Sequence, residues 1–264
     1  MLKINNIYCG DCLEILKEID NGSIDLTITS PPYDNLRDYK GYTFDFVGIA
    51  KELYRITKDG GVLVWVVGDA TINGSESGTS FKQALYFKEI GFNLYDTMIY
   101  ATKKAPLTHR RYEQEFEYMF ILSKDKPKTF NPIKVPTIYS GNRADRPKTD
   151  KGSRSQNCSM RSREEMPRFV KDTKIKGNIW EYKTGGGHSS KDKIAFEHPA
   201  IFPEQLAEDH ILSWSSKGDL VLDPMCGSGT TLKMALKNDR NYIGIEISPD
   251  YCRIAYNRIH NADK

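Results

Sequence analysis

The sequence predicts an α/β fold in which helices cover both faces of a doubly wound, mostly parallel sheet. Short apolar segments alternate with amphipathic helical segments, and some apolar segments are hydrophobic on both faces, as buried parallel strands are. This alternation stops in one long irregular stretch, at residues 124–195. We therefore predict one α/β domain, formed by residues 1–123 and 196–264 together, with an irregular basic insert at 124–195.

Before the insert, strands and helices follow one another in a regular order. "IYCGD" predicts a strand and turn, "CLEILKEID" a helix, and "SIDLTITS" a second strand. "FVGIAKELYRIT" has the spacing of an amphipathic helix, and we expect it to stop at the glycine pair Gly60-Gly61. A central strand at "GVLVWVVGDA", a helix at "SFKQALYFKEIG" and strands at "LYDTMIYA" and "FEYMFILSK" follow.

After the insert, in which only "NIWEY" has strand character, the alternation returns. The predicted elements are a helix at "PEQLAEDHILSWS", a strand at "LVLDP", a helix at "TTLKMALKND", a strand at "NYIGIEI" and a helix at "PDYCRIAYNRIH". In such sheets, ligands bind at the carboxyl ends of the strands. The candidate site residues are therefore sought there.

Composition excludes several classes of protein. No stretch reaches the roughly 18 apolar residues that a membrane span needs, so we expect a cytoplasmic protein without membrane contact. Five scattered cysteines do not form a disulfide framework. The pair Cys9 and Cys12 lacks a second pair of ligands, so we predict no metal site.

Charge is distributed unevenly along the chain. Residues 124–195 contain 18 Lys and Arg against 8 Asp and Glu, a net charge of +10, whereas the rest of the chain carries −7. A basic segment within an acidic body is typical of a polyanion-binding insert. The same pattern also fits a solvated loop.

The segment "DPMCGSGTT" indicates a small-molecule site. An apolar strand leads into Asp223, a turn containing Gly227 and Gly229, and a helix that begins at Thr230. Glycines let the backbone approach a ligand closely, and the helix N-terminus offers free N–H groups. Leu232 replaces the third glycine of the dinucleotide fingerprint, which disfavours a nicotinamide cofactor.

An acidic residue ends the next predicted strand, in "IGIEIS". A carboxylate at this place can accept hydrogen bonds from both hydroxyls of a ribose, as it does in nucleoside-binding doubly wound folds. Glu246 is that residue. The second strand ends in "TSPPY", where Ser30, Pro31 and Pro32 precede Tyr33.

Together, "TSPPY", "DPMCGSGTT" and "GIEIS" resemble the β group of DNA amino-methyltransferases, which use S-adenosylmethionine and have a Rossmann-like methyltransferase sheet. The order of the motifs, with the catalytic motif first and the cofactor motif last, also resembles that group. The resemblance implies that Glu246 binds the cofactor ribose and that Asp11, in "GDCLEIL", approaches its adenine. It also implies that Phe202, in "EHPAIFPEQ", lines the cofactor pocket; from the residue alone, a phenylalanine of the hydrophobic core is the alternative. The glycine turn then contacts the methionine part; its predicted cofactor-binding residues are Asp223, Met225, Gly227, Gly229 and Thr230.

The resemblance also assigns the catalytic residues. Ser30 Oγ and the Pro31 carbonyl would accept hydrogen bonds from an exocyclic amine, which frees its lone pair to attack the methyl group. Pro31 and Pro32 fix φ and lack N–H donors, so the carbonyl stays directed at the pocket. Tyr33 would stack on the flipped base. Transfer would be direct and in line, without a metal or a covalent intermediate.

The predicted partner is double-stranded DNA, with residues 124–195 as the target-recognition insert. "ATKKAPLTHRRYEQEFEYMFILSK" resembles a family segment beside the target base, whose basic residues either bind phosphates or form a solvated loop. The predicted DNA-binding residues in it are Lys103, Lys104, His109, Arg110 and Arg111. The resemblance allows a cognate restriction endonuclease and a homodimer as further partners.

Serine at position 30 favours cytosine N4 as the methylated amine, because Asp or Asn at this place accompanies adenine N6 in the family. Adenine N6 of DNA is the main alternative. RNA, a protein glutamine amide or an inactive nucleic-acid-binding module are more distant alternatives. The intact "SPPY" and cofactor motifs disfavour an inactive module, and the basic insert disfavours a protein substrate.

Overall fold

The computed structural model describes residues 2–32, 44–102, 112–137, 141–142, 169–185 and 187–260. The chain divides into two compact units, of which the larger is formed by Met1–Asn131 and Asn178–Lys264 and the smaller by Pro132–Gly177. The smaller unit lies within the predicted insert of residues 124–195. No helix in the described ranges is long and apolar enough to cross a membrane.

The strands and helices follow the predicted order. The strands are β1 (Asn6–Cys9), β2 (Ile24–Thr29), β3 (Thr57–Val67), β4 (Thr71–Ile72), β5 (Ser75–Glu76), β6 (Asn93–Ala101), β7 (Phe116–Ser123), β8 (Lys134–Pro136), β9 (Gly141–Asn142), β10 (Phe169–Val170), β11 (Thr173–Ile175), β12 (Ile179–Glu181), β13 (Leu220–Asp223) and β14 (Asn241–Glu246). The α-helices are α1 (Cys12–Leu16), α2 (Phe46–Ile56), α3 (Thr79–Glu89), α4 (Glu204–Trp214), α5 (Thr230–Lys237) and α6 (Pro249–His260), and a 3-10 helix spans Lys193–Glu197.

Eight strands of the larger unit form one sheet, in the order β1-β14-β13-β2-β3-β7-β6-β12. The first five strands run parallel to one another, β7 is antiparallel to both β3 and β6, and β12 is parallel to β6. Because only β7 is reversed, β3, β6 and β12 share their direction, and the carboxyl ends of seven strands lie at one edge. The predicted doubly wound, mostly parallel sheet is confirmed.

Helices cover both faces of this sheet. Successive residues of a strand point to opposite faces of the sheet. On one face, Leu222 of β13 and Ile243 of β14 belong to a hydrophobic core. The helices contribute Leu16 of α1, Leu53 of α2 and Phe87 of α3 to the same core. The helices α4, α5 and α6 pack on the other face, against β2, β13, β14 and β1. The result is a three-layer arrangement, as the alternating sequence predicts.

The predicted stop of α2 at Gly60-Gly61 is wrong. The helix ends at Ile56, and β3 begins at the next residue and continues through both glycines. The pairing with β2 shifts here from Ile24↔Thr57 to Leu26↔Val62, so β3 bulges where Gly60 adopts a φ of +79°. The glycine pair therefore lies in a β-bulge of β3 and does not end the helix.

The smaller unit contains two short antiparallel pairs. β8 pairs with β11, and β9 pairs with β10. Backbone hydrogen bonds from Thr137 N to Asp172 O and from Lys176 N to Ile133 O, both 2.8 Å, extend the first ladder at its two ends. These strands have no clear apolar alternation, so the sequence did not predict them.

Candidate active site

Four neighbouring strands bring the principal predicted residues to one edge of the sheet. Asp11 follows β1, Glu246 ends β14, Asp223 ends β13 and Ser30 follows β2, and these strands are adjacent in the order β1-β14-β13-β2. Residues from the two ends of the chain therefore meet at the place where such sheets bind ligands. Three of the four side chains are carboxylic acids.

The glycine turn between β13 and α5 has a conformation that requires glycine at two positions. Gly227 and Gly229 have φ of +48° and +77°. A Cβ at Gly227 would lie 2.8 Å from His198 Nε2, and one at Gly229 would lie 2.8 Å from the Ala255 Cβ. Backbone strain and lack of space therefore both disfavour a larger residue at either position.

Glu246 is held by the glycine turn and by the start of α6. Its Oε2 accepts a hydrogen bond from Gly227 N and its Oε1 one from Ser248 N, both 2.9 Å long, and the residue is only 8% exposed. Burial raises the pKa of Glu246, and the backbone donors oppose part of this rise. The backbone N–H of Ile247 also stabilises the charged carboxylate, and since the two oxygens offer about four acceptor sites, the group keeps acceptor capacity for a ligand donor.

Asp223 lies deeper, with 2% of its surface exposed. Burial raises the pKa of Asp223 to about 6, although hydrogen bonding to the Thr231 hydroxyl and the Met225 N–H lowers it. The Met225 N–H donates to Asp223 Oδ1 over 3.2 Å. A cationic ligand group near this carboxylate would favour its charged form.

Asp11 begins α1 as its N-cap, and its side chain accepts a hydrogen bond from Glu14 N over 3.2 Å. The preceding Gly10 N–H donates to the Glu246 carbonyl over 2.9 Å, which ties the end of β1 to the end of β14. Asp11 is exposed. It therefore presents an accessible carboxylate beside the more buried Glu246.

At the end of β2, Ser30 and Pro32 are partly buried and Pro31 is buried. Tyr33 lies outside the described residues, as do the predicted DNA-binding residues Lys103, Lys104, His109, Arg110 and Arg111. Phe202 is partly buried in the segment before α4. The roles of all these residues stay predictions.

Two thiols near this edge, those of Cys12 and Cys226, are protonated at neutral pH. Burial, helped by the Asp11 charge, raises the pKa of Cys12 to about 12. Burial also raises the pKa of Cys226, beside Asp223 and Glu246. A protonated, buried thiol is a poor nucleophile. Among the residues that the structure describes, no group of three or more His, Cys, Asp or Glu side chains could hold a metal ion.

The sequence did not identify His198, which lies beside the glycine turn, as a candidate site residue. The His198 ring lies against Gly227 and makes an edge contact with the Tyr251 ring, with centroids 4.3 Å apart. Its Nδ1 accepts a hydrogen bond from Ala200 N over 3.1 Å, which fixes the ring. His198 lies in "EHPAIFP", the segment that contains the predicted pocket residue Phe202, and this position was the sequence signal that could have identified it.

Comparison with known proteins identifies the family. Residues 24–257 match the N6_N4_Mtase family, described as DNA methylase. The chain belongs to this DNA methylase family. The predicted resemblance to the amino-methyltransferases of DNA is thereby confirmed.

Relatives of this methylase match over most of its length. The orphan methyltransferase M.BamHII of Bacillus amyloliquefaciens is 54% identical over 248 residues, which cover 93% of this chain and 92% of the relative. The type II methyltransferase M.BglII of Bacillus subtilis is 27% identical, over 96% of this chain and 68% of the relative.

Solved structures share the fold. PvuII DNA methyltransferase, described as cytosine-N4-specific, aligns with a TM-score of 0.68 at 22% identity and covers 98% of this chain and 87% of its own. M1.HpyAVI in complex with SAM aligns with a TM-score of 0.63 at 24% identity, over 96% and 98% of the two chains.

Proposed function

We propose that this methylase transfers a methyl group from S-adenosylmethionine to the exocyclic N4 amine of cytosine in duplex DNA. The observation that carries the proposal is the position of Ser30-Pro31 in the sheet. This segment follows β2, the immediate neighbour of β13, and neighbouring strands lie about 4.8 Å apart. An amine held at Ser30 would therefore lie beside a ligand held at Asp223.

The donor groups of S-adenosylmethionine fit the acceptors present. This cofactor has ribose hydroxyls, an adenine amine and a methionine ammonium, and the edge offers the carboxylates of Glu246, Asp11 and Asp223. We assign Glu246 to the ribose, Asp11 to the adenine and Asp223 to the methionine end. We also assign Met225, Gly227, Gly229 and Thr230 to the methionine end, and Phe202 to the pocket wall.

When bound, the cofactor supplies a methyl group activated by a positively charged sulfonium. Ser30 Oγ and the Pro31 carbonyl accept hydrogen bonds from the amine, so that its lone pair is no longer delocalised into the base. Pro31 has no N–H that could compete, and its burial limits its motion. Tyr33 stacks on the base after it has left the duplex. The raised pKa of Cys12 and Cys226 supports direct transfer, because neither thiol is a ready nucleophile.

Serine at position 30 supports cytosine as the target base, through the family resemblance. Adenine N6 is the second candidate, since the same two acceptors can hold either amine. The basic segment 124–195 supports DNA as the substrate. Outside this segment, the candidate phosphate contacts are Lys103, Lys104, His109, Arg110 and Arg111. A cognate restriction endonuclease and a homodimer stay predictions.

A transfer assay tests the substrate class and Ser30 together. The protein is incubated with methyl-labelled S-adenosylmethionine and, in parallel, with unmethylated duplex DNA, RNA or protein. We expect label in DNA, and we expect Ser30→Ala to reduce kcat by about 100-fold because a preorganised acceptor is lost, while cofactor affinity is retained. Label only in RNA or protein would contradict the proposal, and full activity of Ser30→Ala would remove this serine from the mechanism.

A further inference from the structure

A buried arginine of α6 donates hydrogen bonds to the glycine turn. The Arg258 side chain is 0% exposed. Its Nη1 donates to Ser228 O over 2.7 Å, to Ser228 Oγ over 2.9 Å and to Thr230 Oγ1 over 3.1 Å. Ser228 lies between the two glycines of positive φ, where regular secondary structure does not satisfy its carbonyl. Arg258 thus supplies the donor that this turn needs.

The remaining donors of Arg258 contact two acids and, over 3.3 Å, Ser190 Oγ. Nε donates to Asp192 Oδ2 over 3.0 Å, and Nη2 donates to Glu204 Oε1 over 2.8 Å. Lys233 of α5 contacts the same two oxygens, at 2.7 Å and 3.0 Å. We call Asp192, Glu204, Lys233 and Arg258 the Arg258 cluster. Its two acids and two bases balance in charge, which is what makes a buried guanidinium tolerable.

The state of Asp192 agrees with a charged cluster. Burial would raise the pKa of Asp192, but hydrogen bonds from Lys233 and Arg258 outweigh this effect and lower it. The carboxylate therefore stays ionised at neutral pH.

The two acids lie at the two ends of one segment, residues 192–204. This segment carries His198, which packs on Gly227, and Phe202. A single guanidinium therefore holds the glycine turn and also both ends of the segment that packs against it. The Thr230 hydroxyl accepts from Arg258, so Thr230 would serve a ligand through its backbone N–H at the start of α5.

We propose that Arg258 is a positioning residue for the cofactor, which keeps the turn Gly227–Thr230 and the facing segment 192–204 in their binding conformation. The inference rests on the proposed function of this edge as a cofactor site. It assigns to Arg258 an effect on cofactor affinity and not on the methyl-transfer step itself. Lysine cannot replace it, because a single ammonium cannot reach the turn and both acids with the fork geometry of a guanidinium.

Arg240 offers a matched control. It is also a buried arginine, 7% exposed, and it donates to Ser215 Oγ, Ser215 O and Asn238 O. It precedes β14 and so lies at the amino end of that strand, away from the glycine turn. Arg240→Lys should therefore cost stability in a similar way without acting on the proposed cofactor site.

The test measures S-adenosylmethionine binding by calorimetry and steady-state kinetics on duplex DNA, for wild type, Arg258→Lys and Arg240→Lys. We expect Arg258→Lys to raise the Kd and the KM for the cofactor by about tenfold or more, since hydrogen bonds from a charged donor are lost. We expect kcat at saturating cofactor to change less than about threefold, and Arg240→Lys to leave Kd within about twofold.

Equal Kd values for the two arginine variants would overturn the proposal, as would a fall in kcat without a change in Kd. If Arg258→Lys does not fold, Glu204→Gln is measured instead, because it keeps the shape of the side chain and removes one charge. A rise in its Kd supports the proposal, and an unchanged Kd overturns it. Failure of the wild type to bind the cofactor would contradict the proposed function itself.

Discussion

The cofactor role proposed for Asp223 would set the effect of this residue on binding against its effect on stability. Its pKa rises from the ordinary 3.8 to about 6 because the carboxyl is buried. The folded state therefore holds this proton more tightly than the unfolded chain does. Stability is lost as the pH rises between these two values, and above about pH 6 the full cost, about 3 kcal/mol, is present. A cationic ligand offsets that cost.

We expect Asp223→Asn to change stability and binding in opposite directions. At pH 7.5 the uncharged amide should raise the free energy of unfolding of the free protein, by about 1–3 kcal/mol, because no charge is buried. The same change should weaken S-adenosylmethionine binding at least about tenfold. Urea denaturation and calorimetry measure the two effects.

The pH dependence of binding is the control for this variant. For the wild type, cofactor affinity should fall as the pH is lowered through about 6, because the protonated Asp223 no longer attracts a cation. In Asp223→Asn the fall over this range should be absent. A variant that is less stable than the wild type, yet binds equally well, would contradict this account of Asp223.

At the scale of elements, the turn into α5 depends on its contact with α6. Gly229 has a φ of +77° and its Cβ position would lie 2.8 Å from the Ala255 Cβ of α6. Gly218 has a φ of +84° with no heavy atom within 4 Å of its Cβ position. The two glycines therefore share backbone strain and differ in available space.

We expect Gly229→Ala to destabilise the protein more than Gly218→Ala does. Gly218→Ala should cost about 1 kcal/mol for the left-handed backbone alone, and Gly229→Ala should cost roughly 1–3 kcal/mol more because α6 must shift. Thermal denaturation measures both variants. Equal losses of stability would show that the contact with Ala255 carries no strain.

Most elements could be predicted because their apolar spacing is local information. The bulge at Gly60-Gly61 could not, because a glycine pair after a helix has the same sequence pattern whether it ends the helix or bends a strand. The hairpin of β4 and β5 is too short for a periodic signal. Its turn at Asn73-Gly74, where φ is +50° and +80°, was the sequence signal that could have identified it.

The candidate site was predictable in part for the same reason. Asp223, Gly227, Gly229 and Glu246 belong to short motifs with a physical meaning of their own. Arg258 belongs to no such motif, because its partners Asp192 and Glu204 come from a segment that only the fold brings near. A side chain that holds a loop through residues distant in sequence is therefore identified from the structure and not from a sequence motif.

At the scale of the whole molecule, charge is divided between the segment 124–195 and the rest of the chain. If this segment, with its net charge of +10, contacts phosphates as proposed, its binding would release counterions, and affinity for DNA would depend on salt. The described part of this segment includes the exposed Lys174 and the half-buried Lys176. Lys82 and Lys88, both exposed on α3, lie outside it.

We expect Lys174→Gln with Lys176→Gln to weaken duplex binding about equally for all sequences and to reduce the salt dependence of Kd. The matched double variant, Lys82→Gln with Lys88→Gln, should leave both unchanged. Fluorescence anisotropy at two salt concentrations measures the effect. Equal losses for the two double variants would show that overall charge, and not the basic segment, sets DNA affinity.

The identity of the methylated nucleoside tests the central claim most directly. Unmethylated duplex DNA is incubated with the protein and S-adenosylmethionine and digested to nucleosides, and the product is identified by chromatography and mass spectrometry. The proposed assignment of cytosine, which rests on serine at position 30, predicts N4-methylcytosine as the product, and this product should be strongly reduced with Ser30→Ala. N6-methyladenine as the only product would contradict the assignment of cytosine to this site.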